Sequence, residues 1–224
     1  MNDSSLLLSI AILGGTGKEG KGLAYRWAKA GYHVRIGSRD PLKAAAAAKE
    51  VSDLLGGEVM IDGIGNLEAA REANMVVLTV PYDAHKATLN SVKEELQGKI
   101  LIDVTVPIVP PKVATVQMPS AGSAAQEAKQ IVGDNVQVCA AFQNISYEHL
   151  LDNAEVECDV LVTGTSKEAR DQVIKLVEAA GLRGWDAGPI ENSVVVEGLT
   201  SILIGINKKY GSTHAGIRIT GVHG

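Results

Sequence analysis

The stretch Ala11–Gly22, AILGGTGKEGKG, decides how this chain is read. It ends an apolar run that starts near Ser9 and leads into helix-forming sequence, so a strand before the glycines and a helix after them are expected. Gly15, Gly17 and Gly20 have the GxGxxG spacing of a dinucleotide-binding turn. In such a turn Gly15 permits the tight bend, Gly17 lets backbone approach a pyrophosphate, and Gly20 lets the helix pack on the strand. The amides of Thr16, Gly17, Lys18 and Glu19 then face the phosphates from a helix N-terminus.

The end of the next strand decides which dinucleotide. Sites selective for NAD place an acid there to accept from the ribose 2′-hydroxyl, and that carboxylate repels a 2′-phosphate. This chain instead reads IGSRD at Ile36–Asp40. Ser38 offers a hydroxyl, Arg39 a guanidinium fork, and Lys43 a further cation one helical turn on, which together suit a phosphate and point to NADP. Asp40 directly precedes Pro41 and is expected to cap the following helix.

Working outward, short β-branched runs alternate with Ala-, Lys- and Glu-rich stretches. Strands are expected at 9–13, 33–37, 59–62, 75–80, 100–104, 136–141, 159–163 and 182–186. Helices are expected at 18–30, 41–55, 67–73, 84–96, 123–131, 166–180 and 190–210. This alternation predicts an α/β, Rossmann-type, doubly wound and mostly parallel sheet. A dinucleotide-binding domain over residues 1–135 and a smaller C-terminal portion over 136–224 are expected. The last helix is apolar around much of its circumference, with Gly198 and Gly205 seven residues apart, so it is expected to be buried against the sheet edge or a second subunit. A homo-oligomer, a dimer, follows as an expectation. The Pro-rich segment Thr105–Gln126 breaks the pattern and follows the fifth strand, where ligands of such sheets bind, so it is expected to cover substrate.

Composition excludes several classes. With 21 Lys and Arg against 26 Asp and Glu, the net charge is −5 and no basic stripe invites nucleic acid. Cys139 and Cys158 stand nineteen residues apart without a CxxC or His-rich companion, so neither a metal site nor a disulfide framework is expected. The N-terminal apolar run leads straight into the glycines without a cleavage site, and Val194–Ile206 is too short to span a bilayer. A soluble, cytoplasmic protein is expected.

The segment TVPYDAHKA, Thr79–Ala87, follows the fourth strand beside the point where the sheet order reverses. Val80 and Pro81 would lie against the nicotinamide, with Tyr82, Asp83, His85 and Lys86 opening the next helix. His85, in a first helical turn, is expected to be solvated, and no side chain is assigned a catalytic role. His149, His214 and Lys175 offer no positioned acid for reducing a carbonyl. An enzyme that only aligns two cofactors for hydride transfer needs none.

Taken together, ILGGTGKEGKGLAYRWAKAGYHVRIGSR, VVLTVPYDAH, DAGPIENSVVVEGLTSILIGIN and the tail HAGIRITG resemble the coenzyme F420-dependent NADP oxidoreductases over nearly the whole chain. The resemblance implies reversible hydride transfer between NADP(H) and the deazaflavin F420, with the two rings stacked in a cleft. Carried over by position, it implies Thr16, Gly17, Lys18 and Glu19 on the pyrophosphate, and Ser38, Arg39 and Lys43 on the 2′-phosphate. It further implies Tyr82 and Lys86 flanking the nicotinamide, with AAFQNISY, which holds Gln143, Ile145 and Tyr147, and Ala215 on the deazaflavin side. Some members carry histidine where this chain has Gln143, which can hydrogen-bond the ring's polar edge but is no comparable proton donor. Lys208, Lys209 and Arg218 are cations that could meet the polyglutamate tail of F420. Two other readings remain at this stage: an NADPH-dependent reductase of a small imine, carbonyl or metal chelate, and an NADP-sensing module without chemistry.

Overall fold

The alternating pattern is realised in one eight-stranded sheet. The computed structural model describes residues 8–151 and 156–222. In chain order the elements are β1 (Ser9–Leu13), α1 (Lys18–Lys29), β2 (His33–Ser38), α2 (Pro41–Leu54), β3 (Ile61–Gly65), α3 (Asn66–Glu72), β4 (Met75–Leu78), α4 (Tyr82–Val92) and β5 (Ile100–Asp103). They continue with α5 (Ala124–Val132), β6 (Gln137–Ala140), β7 (Asp159–Gly164), α6 (Lys167–Ala179), β8 (Arg183–Pro189) and α7 (Ser193–Tyr210). The strand order is β3-β2-β1-β4-β5-β6-β7-β8. Its first six strands are parallel in the doubly wound order, so the order reverses between β1 and β4. The return strand β7 runs antiparallel to β6, and β8 pairs parallel to β7.

Strand residues alternate between two cores because successive side chains leave opposite faces of the sheet. Ile10 and Ile12 pack with Leu23 and Trp27 of α1, Val51 of α2 and Leu176 of α6. Ala11 and Leu13 pack with Ala69 of α3, Leu89 of α4 and Val132 of α5. Trp27 fills the first core edge-to-face against Phe142, at 5.7 Å between ring centres, and its indole N–H donates to the carbonyl of Leu176 at 2.9 Å. That bond satisfies the one polar atom of a wholly buried side chain. Asp40 caps α2 as expected, its carboxylate accepting from the amides of Leu42 and Lys43. Both cysteines are free and buried, and burial pushes the Cys139 thiol up to about 12.

Three features differ notably from expectation. β3 lies at Ile61–Gly65, displaced from 59–62, because β2 dictates its register from Val34 opposite Ile61 to Ser38 opposite Gly65. Glycine disfavours a strand locally, but α2 crosses β3 so closely that a Cβ on Gly63 would stand 2.1 Å from the carbonyl oxygen of Ala44. α4 starts at Tyr82, two residues before the expected Ala84, which swings Tyr82 into the helix. Finally, α7 buries only one face within the chain, with Val196, Glu197, Gly198 and Ser201 inward. Val195 and Ile202 are 63% and 50% exposed on the other. The loop after β5 lies over α7, with Val116 and Met118 opposite Gly198 and Ala114 opposite Gly205.

Gly63→Ala should destabilise the fold by about 2–3 kcal/mol, since the clash is with backbone that cannot rotate away. Urea unfolding at constant m-value measures it; an unchanged midpoint would mean that α2 can move off β3.

Candidate active site

The glycine turn sits at the C-terminal end of β1, and its three motif glycines divide the work differently from expectation. Gly14 takes the left-handed bend, with φ +72°, and a Cβ there would strike Val80. Gly15 keeps ordinary φ but is pressed against the Ile12 carbonyl, and its N–H donates to the carbonyls of Ile12 and Gly37 at 3.1 Å each. Gly20 meets Gly15: a Cβ on it would lie 2.6 Å from the Gly15 Cα. Around Gly17 there is open space, with the nearest heavy atom to an added Cβ at 3.9 Å, as a turn that admits a bulky anion requires.

A cleft of about 830 Å³ opens from this turn. Thr16, Gly17 and Glu19 line it at one end with Ser38 and Arg39, and Val80, Pro81 and Tyr82 form its middle. Gln143, Ile145 and Tyr147 come from the segment after β6, Thr200 and Ile204 from α7, and Thr105, Val106 and Ile108 from the loop after β5. That loop borders the cleft as a covering segment would. Arg39 and Lys43 are exposed at the β2 end, and among the described residues neither is held in an ion pair. By contrast Arg35, one turn of strand earlier, is neutralised by Glu72 at 3.0 Å.

Six of the expected residues stand off the cleft wall. Gly15 and Gly20 act from behind it, through the backbone contact just described. Lys18 reaches across to Tyr147, its Nζ 3.4 Å from the phenol oxygen and 4.8 Å from the ring centre. Lys43 and Lys86 are exposed on α2 and α4. Ala215 lies against the end of α7, its N–H donating to Asn207 at 2.9 Å. The tail around it is pinned to β7 instead: Asp159 takes the Ile219 N–H at 2.7 Å and gives its own N–H to the Ile217 carbonyl. Lys208 and Lys209 are exposed, and Arg218 faces Glu157 at 3.8 Å.

Residues that the sequence did not single out complete the wall. Asn66, at the start of α3, accepts from the Gly14 N–H at 3.4 Å and lines the cleft. Thr200 donates to the Gln143 carbonyl at 2.8 Å. The Gln143 side chain donates through Nε2 to the Asp103 carbonyl at 2.8 Å, and its Oε1 is buried without a partner. Because that contact fixes which end of the amide is nitrogen, Gln143 presents an acceptor.

Beneath Tyr82 lies a group of buried ionisable side chains. His85 is wholly buried, not solvated as expected, because the early start of α4 turns it inward toward β5. Its Nε2 lies 2.7 Å from Asp103 and its Nδ1 3.4 Å from Glu127 of α5. Glu197 of α7, also wholly buried, accepts from the amides of Ala124 and Ala125 at 2.7 and 3.1 Å, so it caps α5 from another element. Burial, followed by the charge of Asp103, pushes Glu197 up to about 8 despite those amides. Burial likewise raises Glu19 to about 8. Glu19 is half-buried and lines the cleft. Near pH 7 both side chains are therefore mostly protonated, and Glu19 can face a phosphate as a hydrogen-bond donor without repelling it.

With this geometry, the sheet order and the glycine cradle define a doubly wound dinucleotide-binding protein. Residues 9–107 match the family described as NADP oxidoreductase, coenzyme F420-dependent. The F420-dependent NADP reductase of Methanothermobacter marburgensis is 44% identical over 221 residues, covering 95% of this chain and 98% of that protein. The F420-dependent NADP reductase of Methanocaldococcus jannaschii is 41% identical over 222 residues, covering 95% and 98%. A solved structure from Arthrobacter sp. FB24 superposes with a TM-score of 0.79 at 24% identity, over 95% of this chain and 99% of that one, and shows the shared fold. The chain belongs to the family of F420-dependent NADP reductases.

Since the pKa of Glu197 in the folded protein lies above its ordinary value of 4.5, its neutral form is the one that folding favours. Stability from this group is complete below about pH 4.5 and lost as pH rises through about 8. Glu197→Gln should flatten the fall in unfolding free energy between pH 5 and 9, measured by urea titration, at the cost of one amide contact at every pH. A wild-type curve already flat across that window would contradict the raised value.

Proposed function

We propose that the cleft holds NADP(H) and the deazaflavin coenzyme F420 against each other and that a hydride passes reversibly between them. The overall balance is NADPH + F420 + H⁺ ⇌ NADP⁺ + F420H₂, an oxidoreductase reaction in agreement with the chain's family. One observation carries the reading: a single cleft of about 830 Å³ is lined by Ser38 and Arg39, by Val80, Pro81 and Tyr82, and by Gln143 and Thr200. The bound cofactors supply the redox chemistry.

The chain's own residues bind, orient and shield. Thr16, Gly17, Lys18 and Glu19 hold the pyrophosphate through helix-terminal amides and the neutral Glu19 carboxyl, while Gly15 and Gly20 set the turn. Ser38, Arg39 and Lys43 take the 2′-phosphate, where the open space and unpaired cations suit a dianion. Val80 and Pro81 give the nicotinamide an apolar floor beside Tyr82, and Lys86 stands at its outer edge. Gln143, Ile145 and Tyr147 take the deazaflavin, with Ala215 supporting that side from the tail. The unpartnered Gln143 Oε1 suits an N–H on a planar heterocycle. No side chain is needed as nucleophile or carbonyl acid, since alignment of two preformed cofactors supplies most of what hydride transfer requires. In this reading residues 1–135 form the NADP half and 136–224 the part that completes the F420 side.

The exposed apolar face of α7, Val195, Ile202 and Ile206, is the surface on which we place a second copy of the chain. No helix among the described residues is long and apolar enough to cross a membrane, and we place the enzyme in the cytoplasm.

Anaerobic mixing of the protein with NADPH and oxidised F420 should bleach the deazaflavin's visible absorbance, and NADH should do so far more slowly. Absence of bleaching while NADP still binds would move the activity to another acceptor. Arg39→Glu should weaken NADP⁺ binding in calorimetry by about 100-fold while barely changing NAD⁺. Equal weakening of both would place the 2′-phosphate elsewhere.

A further inference from the structure

His85 stands at the one point where the elements that carry the cleft floor meet, and neither ring nitrogen faces solvent. Nε2 is hydrogen-bonded to the Asp103 carboxylate at 2.7 Å, while Nδ1 stands 3.4 Å from the Glu127 carboxylate, within ion-pair range but without a hydrogen bond to it. A neutral imidazole has one N–H and one lone pair, so between two acids it would leave a lone pair beside an anion. The cation avoids this, since it carries an N–H at both nitrogens and is attracted to both carboxylates. The two acids in turn hold cleft residues. The other oxygen of Asp103 accepts the Thr105 N–H at 3.0 Å, and the backbone carbonyl of Asp103 takes the Gln143 amide at 2.8 Å. Tyr82 lies near Glu127, whose charge adds to burial in raising the Tyr82 phenol, and the Tyr82 ring centre is 5.9 Å from that of His85.

We propose that His85 is a positioning residue for hydride transfer: as a cation clamped between Asp103 and Glu127 it locks α4, β5 and α5 together and so sets Tyr82, Thr105 and Gln143 around the reacting rings. It touches neither cofactor, and it acts through these three. The role deepens the hydride-transfer reading of the same cleft and rests on it.

The groups that face His85 are Asp103 of β5, Glu127 of α5, Glu197 of α7 and Tyr82 of its own helix. Burial alone would push the imidazole down, but the hydrogen bond and charge of Asp103, together with Glu127, outweigh it and hold His85 above its ordinary value. The clamp holds below that raised value and is lost as pH rises through it, when one carboxylate comes to face a lone pair. Glu197 loses its proton as pH rises through about 8, and the carboxylate so formed favours the charged imidazole, so its titration holds the clamp to higher pH.

Two measurements test the proposal. In the full-length protein with ¹⁵N-labelled histidine, NMR of the imidazole nitrogens, assigned through His85→Gln, should show His85 protonated on both nitrogens at pH 7. A neutral His85 at that pH overturns the proposal, and this result needs no F420. The second is a pH profile of steady-state turnover alongside calorimetric NADP⁺ binding. His85→Gln, which can donate to Asp103 but carries no charge, should lower kcat by about 10- to 100-fold at pH 7. NADP⁺ affinity should stay within about threefold, because its anchors lie at the Ser38 and Arg39 end. Above the His85 titration, wild type and variant should converge. A deficit of equal size at every pH, or none at all, overturns the positioning role. If wild type passes no hydride between NADPH and F420, the functional reading fails, a result separate from the charge state that NMR reports.

Discussion

Two backbones in contact set the whole molecule. α1 can start at Lys18 and lie against β1 only because Gly20 passes Gly15 at a distance that no side chain on Gly20 would permit. That approach aims the first amides of α1 into the space around Gly17 and brings Trp27 down into the core between α1 and α6. It also fixes the height of the cleft floor, since Gly14, turning in the left-handed region, lies against Val80 at the end of β4. Steric exclusion here does the work elsewhere done by an attractive contact: with a methyl group on Gly20 the helix must lift, and phosphate cradle and core are lost together.

The second economy of the structure concerns charge. A cleft that is to receive a multiply negative dinucleotide is floored by Asp103, Glu127 and Glu197. Asp103 and Glu197 are buried and Glu127 is partly exposed; two buried anions side by side would be costly, so Asp103 is paired with His85 and Glu197 is held near neutrality by burial. The structural return is rigidity: Glu197 caps α5 across the fold, and Asp103 uses side chain and backbone alike to hold the loop after β5 and the segment after β6. The exposed cations Arg39 and Lys43 sit at the far end, where a 2′-phosphate can meet them without competition from these acids.

Much was legible in the sequence because it rested on local physics. The glycine spacing and the strand before it specify the turn and the helix start through conformational freedom, and the Ser38–Arg39 pair lies on the cleft wall where the proposed 2′-phosphate site needs it. The Asp40–Pro41 pair specifies a helix start through hydrogen bonding within four residues. The alternation of β-branched and helical runs specifies the parallel order, since right-handed crossovers leave few alternatives. These features survive because none depends on what lies across the sheet.

The rest was decided only by the tertiary structure. Glycine-poor strand propensity placed the third strand two residues early; pairing with β2 and the close crossing of α2 moved it onto Gly63. Asn66, Thr200 and Glu197 carry no local signal, because their partners, Gly14, Gln143 and the amides of α5, lie 52, 57 and at least 72 residues away in sequence. The tail from Ala215, read as cleft wall, is instead drawn to Asp159 of β7. His85 is the sharpest case: a histidine in a first helical turn reads as solvated, and nothing nearby announces otherwise. The sequence by itself determined the cradle, the choice of NADP and the order of the sheet, all set by backbone sterics and charges within a few residues. Only the fold decided which polar groups are taken out of water and which partners meet them there, because desolvation and long-range pairing exist only once the chain has closed on itself.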